Sequence, residues 1–395
     1  MKITPFKNTF KGHGAGKIKA LYMQNANLPS QIAVYDELKS IGYKHNFDVF
    51  IQSKEGILSQ EMKYPSSLHC DYEIWSQDNK TILNKNGQTV IISGLYMPHT
   101  ERTATKAFAE EKGINHEKVE LFVRGGNLFV GKKPDGENYL IIGHNDIKVS
   151  AIHHFLKEKL GYVDYYYMQE FMDDGQIEID GEIIATLEEF SQYFKANADF
   201  IVQKFLETFD VKKENMTILP QGQYHNDLAI RPLNYPYILV NDEKMSKENL
   251  KKLKKFYKFD ISTRKFVKSH FEKIKNQKEI YTSCDELCKH LEKVGFIPIR
   301  IGGGYGLETI NFMNAIVHQD GENLIYITNS GISKDKNYIF LQTLFEQELK
   351  KKCPQISKIY FVKGAPTDKG SNVILEYLKQ HHGGIHCLCA EEMWE

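Results

Sequence analysis

The chain has 395 residues, 41% of them hydrophobic and 26% charged, with 51 Lys+Arg balancing 51 Asp+Glu. That is the composition of a globular protein able to bury its own core, and the charge balance excludes an overall field that would draw it to nucleic acid or an anionic membrane. No apolar run reaches the length of a membrane-spanning helix, and the six cysteines are few and irregularly spaced, as in a reducing compartment rather than a disulfide framework.

The opening stretch, MKITPFKNTFKGHGAGKIKA, is basic but lacks the apolar segment of a secretory signal, so a cytoplasmic protein is expected. Its GHGAGK is one residue too short between glycines for a phosphate loop and has Ile18 where Ser or Thr would bind magnesium; a turn is expected there. A strand is predicted over 86–96 and a helix over 101–113. A strand over 118–132 and another over 138–143 are joined by the Pro-Asp-Gly turn at 134–136. A helix over 191–209 precedes a strand pair within 215–242. The lysine-heavy stretch 244–276 reads as a solvated helical surface, because its charges are not interleaved with aromatics as nucleic-acid stacking requires.

The last third repeats the theme: a helix at 284–294, strands in GFIPIRI, NFMNAIVH and NLIYITNSG, a helix at 338–352, the strand ISKIYFVKG, a helix at 371–380 and the strand GGIHCLCA. IGGGYGLE (301–308) lacks the context of a dinucleotide fingerprint and is expected to be a mobile loop. Strand, helix, strand pair, helix thus recurs with little sequence identity between units, and no Pro/Ser/Gly linker divides the chain. The expectation is one domain over 1–395, with surface insertions at about 150–190 and 244–280.

HHGGIHCLC, residues 381–389, packs three histidines and two cysteines into nine positions. As zinc ligands, His386, Cys387 and Cys389 need a second pair, which Cys284 and Cys288 supply on paper. As a strand, IHCLCA is apolar enough for a core, where cysteine is a small hydrophobe. As a nucleophile, Cys387 needs a base. Strand alternation sends the adjacent His386 to the opposite face, so the base is sought elsewhere. QYHNDLAIRP offers His225 and Asp227 at i and i+2, on one face of a strand, an imidazole and a carboxylate able to do acid–base work and hold a cation. Asp78 in EIWSQDNKTIL is a second candidate carboxylate. The residues by themselves leave these readings open.

Four segments in order resemble the guanidino-group modifying superfamily, closest to its protein-arginine and agmatine deiminases. They are Trp75-Ser76-Gln77-Asp78, Gly126-Asn127-Leu128, His225-Asn226-Asp227 and Gly383-Gly384-Ile385-His386-Cys387, and the likeness spans roughly 65–392. The resemblance implies an α/β fold, the five-bladed α/β propeller called a pentein, with the site on the pseudo-fivefold axis. It implies catalysis by Cys387, His225, Asp227 and Asp78, and substrate binding by Trp75, Gln77, Asn127, Arg124 and Arg231. The implied reaction is deimination of arginine in a protein or peptide to citrulline through a covalent thiouronium, with no cofactor and no metal. That chemistry suits the residue types: a guanidinium is a permanently charged, planar fork of N–H donors that two carboxylates can hold. Cys389, i+2 from Cys387, is the reserve nucleophile.

Two departures from the family pattern carry weight. Small-molecule deiminases have a glutamate before the Gly-Gly where this chain has Arg124; the arginine either meets an anionic part of a substrate or is a surface or salt-bridged arginine. Where animal protein-arginine deiminases place acidic calcium ligands, this chain has Thr81 and Phe129, so no calcium requirement is expected. An amidinotransferase, a small-molecule deiminase and a non-catalytic binding protein that kept the fold are the alternatives. The expected partner is an arginine-containing protein or peptide, not nucleic acid or membrane. Export as an effector without a classical signal is compatible with the acidic tail AEEMWE.

Overall fold

The computed structural model describes residues 16–24, 29–53, 61–63, 80–85, 87–95, 99–221, 225–276, 282–306, 310–331, 335–365, 374 and 383–393. One unit recurs in it: two strands pair antiparallel, and a further strand lies parallel to one of them. A parallel neighbour cannot be reached by a hairpin, so every unit contains a helical crossover.

The chain begins with β1 (Ile18–Gln24), α1 (Pro29–His45), β2 (Asp48–Ser53) and β3 (Glu61–Lys63). The second unit is the antiparallel pair β4 (Thr81–Lys85) and β5 (Gln88–Ser93), then α2 (His99–Lys112) and β6 (Asn115–Lys118), parallel to β5. The third pairs β7 (Leu128–Lys132) with β8 (Asn138–Gly143). It crosses over through α3 (His144–Leu160), α4 (Tyr165–Asp174), the side hairpin β9 (Gln176–Ile179) and β10 (Glu182–Thr186), and α5 (Leu187–Phe209), to reach β11 (Met216–Leu219), parallel to β8. The fourth pairs β12 (Ile230–Pro232) with β13 (Tyr237–Asn241), crosses through α6 (Glu243–Phe256), α7 (Ile261–Asn276) and α8 (Cys284–Lys293), and ends in β14 (Ile297–Ile301). The fifth pairs β15 (Ala315–Asp320) with β16 (Asn323–Asn329), then adds β17 (Ile356–Val362) after α9 (Lys336–Lys352). A helical turn, α10 (Ile385–Leu388), leads into β18 (Cys389–Met393). This last strand pairs antiparallel with β1, Met23 opposite Cys389, and so completes the first unit from the other end of the chain. Five small mixed sheets with helical crossovers make the five-bladed α/β propeller.

Local chemistry explains several boundaries. Helix α5 begins four residues before the apolar periodicity because Thr186 and Glu189 form a reciprocal capping box. Helix α9 begins at 336 because the Asp335 side chain accepts the Asn337 N–H. The single strand expected over 118–132 is broken: Gly125–Asn127 form a 3₁₀ turn before β7. The segment 244–276 is two helices whose buried faces are Leu250 and Leu253, then Val267 and Ile274. The expected loop at 301–308 is packed instead over its described part. Residues 301–306 are buried, and the Gly303 and Gly304 N–H groups donate to Asn241 Oδ1 at 3.1 and 2.8 Å. The helix expected over 371–380 lies outside the described residues, apart from position 374. Among the described residues, no helix is long and apolar enough to cross a membrane.

Two histidines in the core are held neutral. His318 accepts the Ile18 N–H on Nδ1 (3.0 Å) and donates from Nε2 to the His45 carbonyl (3.1 Å), stitching β1 to β15. His270 donates from Nδ1 to the Phe266 carbonyl (2.8 Å), and its buried Nε2 has no hydrogen-bond partner among the described residues. Burial depresses both to about 4, only partly opposed by those backbone carbonyls. An unfolded histidine titrates near ~6.5, so between about 6.5 and 4 the unfolded chain binds more protons and stability falls with falling pH. The expected loss is roughly 3 kcal/mol per histidine by pH 4. Urea midpoints across that range should show it, and His318→Gln should flatten the slope. A midpoint unchanged between pH 7 and pH 5 would contradict the assignment.

Candidate active site

The Gly-Gly-Ile-His-Cys segment is not a strand. Gly384 sits so close to Asn329 that a Cβ there would lie 2.4 Å from its Oδ1. The chain then makes one helical turn, with the Leu388 N–H on the Gly384 carbonyl at 3.1 Å, and becomes a strand only at Cys389. Two asparagines of the fifth unit fix the turn: Asn329 Oδ1 accepts the Ile385 N–H (2.8 Å) and Asn314 Oδ1 accepts the His386 N–H (2.9 Å). Strand alternation therefore does not turn His386 away from Cys387. In a helical turn, neighbouring side chains are not sent to opposite faces. His386 is fully buried, its Nδ1 lies 2.9 Å from Asp227 Oδ2, and its ring stacks on Phe129.

The His225–Asp227 pair is likewise set by a turn, not a strand. Residues 226–228 form a 3₁₀ turn with His225 just before it. The imidazole lies against Gly126, where a Cβ would come within 2.3 Å of Nδ1; a glycine is required there for that approach. Asp227 is fully buried, and its Oδ2 is the convergence point. It accepts from Asn314 Nδ2 at 2.8 Å and from His386 Nδ1 at 2.9 Å, and Cys387 Sγ lies at 3.1 Å as a further donor. His225, Asp227 and Cys387 each bring an atom within 4.8 Å of the other two. A thiol, an imidazole and a carboxylate so placed can ligate a soft divalent ion with a position left open. They can equally hold a cation beside a sulfur nucleophile and a base. The zinc pairing with Cys284 and Cys288 does not form: those two thiols sit in one hydrophobic core and Cys389 in another.

The other expected site residues fall in three groups. Trp75, Gln77 and Asp78 lie outside the described residues. Asn127 is fully buried and joins two loops: it donates to Asp146 (3.0 Å) and accepts from Gln221 (2.6 Å) and from the Asn226 N–H (3.1 Å). The arginines are engaged within the chain. Arg124 reaches the fully buried Asp146 through Nε and Nη2 at 3.3 and 3.1 Å, which is the salt-bridge reading. Burial pushes the Asp146 carboxyl up, against the pull of Arg124 and Asn127. Arg231, on β12, is fully buried, pairs with Glu391 of β18 at 3.1 Å and lies over the Phe129 ring. Cys389 is fully buried, and burial followed by the nearby Glu391 holds its thiol well above the usual range, which opposes its ionisation. Thr81 and Phe129 are buried as well, and the Phe129 ring covers His386.

Asn311, Asn314 and Asn329 went unforeseen. Asn311 ties the two loops together, donating to the Leu228 carbonyl (2.9 Å) and accepting from the Met313 and Asn314 N–H groups. The signal was present as NFMN, two asparagines three residues apart just before a buried strand. Such residues rarely precede a core strand without local hydrogen bonds to make.

No family model matches the sequence, and no curated protein matches it. Solved structures match its fold end to end. An agmatine deiminase from C. jejuni superposes with a TM-score of 0.55 at 16% identity, over 100% of this chain and 99% of its own. A provisionally assigned peptidyl-arginine deiminase gives 0.54 at 12%, over 98% and 99%. A provisionally assigned arginine deiminase from Porphyromonas gingivalis gives 0.51 at 11%, over 97% and 98%. The chain has the pentein fold that these structures share.

Proposed function

We propose that this protein is a cysteine-dependent hydrolase of guanidinium groups, acting on arginine in a protein or peptide. The observation that carries the reading is the approach of Cys387, His225 and Asp227 within 4.8 Å at a buried centre, in a fold shared with structures named for agmatine and arginine deimination.

In this reading the negative charge of Asp227, with that of Asp78, receives the guanidinium, which stays protonated because its pKa is far above neutrality. The bound cation offsets the carboxylate beside Cys387 and lowers the cost of ionising the thiol. The thiolate attacks the central carbon and forms a C–S bond. His225 gives its proton to the departing nitrogen, the C–N bond breaks, ammonia leaves and a thiouronium remains. Neutral His225 then takes a proton from water as the water's oxygen attacks the same carbon. The C–S bond breaks, returning the thiolate, and the second proton of that water passes to solvent, where the released ammonia takes it up, leaving a neutral ureido product. Water and a guanidinium enter; a urea and ammonium leave.

A second reading, agmatine as substrate, is favoured by the full-length match to the C. jejuni enzyme. The test is ammonia release from an arginine-containing peptide, free arginine and agmatine in parallel, with mass spectrometry of the peptide. We expect a mass gain of about 1 Da and loss of one positive charge on the peptide arginine. Turnover of agmatine alone would move the assignment to the second reading, and ammonia from none of the three would remove both.

Activity is expected to be the same in a calcium chelator as in added calcium. Thr81 and Phe129, which stand where acidic ligands would, are buried and offer no carboxylate, and calcium needs oxygen donors. Activity that vanished in chelator and returned only with calcium would overturn this.

A further inference from the structure

We propose that Asn314 is a catalytic residue of this site, holding the Cys387 sulfur and the Asp227 carboxylate with the two hydrogens of one amide nitrogen. The inference rests on Cys387 being the nucleophile. Asn314 is fully buried, and its Nδ2 lies 3.1 Å from Cys387 Sγ and 2.8 Å from Asp227 Oδ2. A carboxamide nitrogen carries two hydrogens diverging in one plane, so it can serve both acceptors at once. The sense of the amide is set by its oxygen, which must face the His386 N–H at 2.9 Å, since two donors cannot face each other.

The surroundings hold this amide still. Its backbone N–H donates to Asn311 Oδ1 (3.1 Å) and its carbonyl accepts from Asn329 Nδ2 (3.2 Å). Both of those side chains are themselves tied to the loops that carry Asp227 and Cys387, through the Leu228 carbonyl and the Ile385 N–H. A donor so fixed needs no reorganisation when charge develops on sulfur.

Its role differs between the two states of the thiol. While Cys387 is protonated, the S–H can donate to Asp227 Oδ2 at 3.1 Å. Once the proton has gone, a thiolate faces a carboxylate at that distance, which raises the cost of ionisation. The Asn314 N–H then supplies a hydrogen bond to the charged sulfur and, through its other hydrogen, a bond to the carboxylate. Both lower the repulsion. Asn314 thus acts on the pKa and aim of the nucleophile, and its effect is readable without any substrate.

The experiment compares wild type with Asn314→Asp, which keeps the oxygen facing His386 but loses the donor, and with Asn314→Ala. The probe is iodoacetamide, with the Cys387 peptide quantified by mass spectrometry across pH, alongside kcat and KM on the best guanidinium substrate and near-ultraviolet circular dichroism. In both variants the alkylation midpoint should move up by about one pH unit or more. The kcat should fall about 10²–10³-fold, the loss seen for other preorganised donors, with KM changing less than about tenfold. If one variant does not fold, the midpoint of the other decides. A midpoint unmoved in a folded variant overturns the proposal. So does faster alkylation at every pH, which is what loss of a merely structural clamp gives. A shifted midpoint in a protein that turns over no guanidinium would uphold Asn314 while removing the proposed reaction, so the two failures are distinct.

Discussion

Replacing Cys387 with alanine should abolish ammonia release from every guanidinium substrate, whereas Cys389→Ala should leave most of it. The two thiols are two positions apart, but their surroundings differ in kind. Cys387 Sγ lies 3.1 Å from both Asn314 Nδ2 and Asp227 Oδ2, with His225 within 4.8 Å. These are groups that can deprotonate, orient and stabilise it. Cys389 lies in β18 opposite Met23, enclosed by hydrophobic side chains, its thiol held well above the usual range by burial. Removing its sulfur takes away a small buried hydrophobe, a cost of about 1 kcal/mol in stability. A covalent mechanism without its nucleophile has nothing left but binding, so the loss at Cys387 should be to background. Alkylation with an electrophilic amidine should label Cys387 in wild type and nothing in Cys387→Ala. Equal loss of activity in the two variants, together with bound zinc by metal analysis, would replace the nucleophile with a metal centre.

His225→Ala should cost 10²–10⁴-fold in kcat, or more because in the proposed mechanism one imidazole serves both half-reactions. His386→Ala should cost less, about ten- to a hundredfold. The structure makes this a closer contest than strand alternation implied, because His386 Nδ1 reaches Asp227 Oδ2 at 2.9 Å and both groups are fully buried. Removing it deprives a buried carboxylate of one hydrogen bond, worth roughly 1.5–3 kcal/mol for a bond to a charged group, and leaves a void against Phe129. What separates the two is access to a substrate. His225 is partly exposed at the edge of the site and lies beside Gly126, whereas His386 has no exposed surface. In the proposed mechanism His386 positions Asp227, and its variant should therefore lower the melting temperature and slow amidine labelling and turnover together. His225→Ala should keep the melting temperature and slow turnover far more than labelling. Were His386→Ala the more damaging in both assays, with circular dichroism unchanged, His225 would not be the acid–base.

Most of the propeller was legible because its signals are local. Apolar runs, helical periodicity and cap residues such as Asp335 report on a few neighbours, and β8 (Asn138–Gly143) falls where its apolar run ends in a glycine. The boundaries that moved did so through contacts across the chain. The break at Gly125–Asn127 accompanies bonds from Arg124 and Asn127 to Asp146, 22 and 19 residues on.

Cys387 and the His225–Asp227 pair are singled out by the resemblance of four ordered segments to a known family; a thiol, an imidazole and a carboxylate at these spacings leave a metal site, a core strand and a nucleophile open by themselves. Their relative orientation could not be read. Whether residues 385–388 extend or coil depends on Asn329 and Asn314, which take the Ile385 and His386 N–H groups, respectively, from 56 and 72 residues away. Asparagine is among the commonest turn residues, and nothing in its own neighbourhood says which distant amide it will meet. The sequence alone therefore offered candidate groups; the tertiary structure decided which faces which, because a hydrogen bond depends on distance and angle in space and not on separation along the chain.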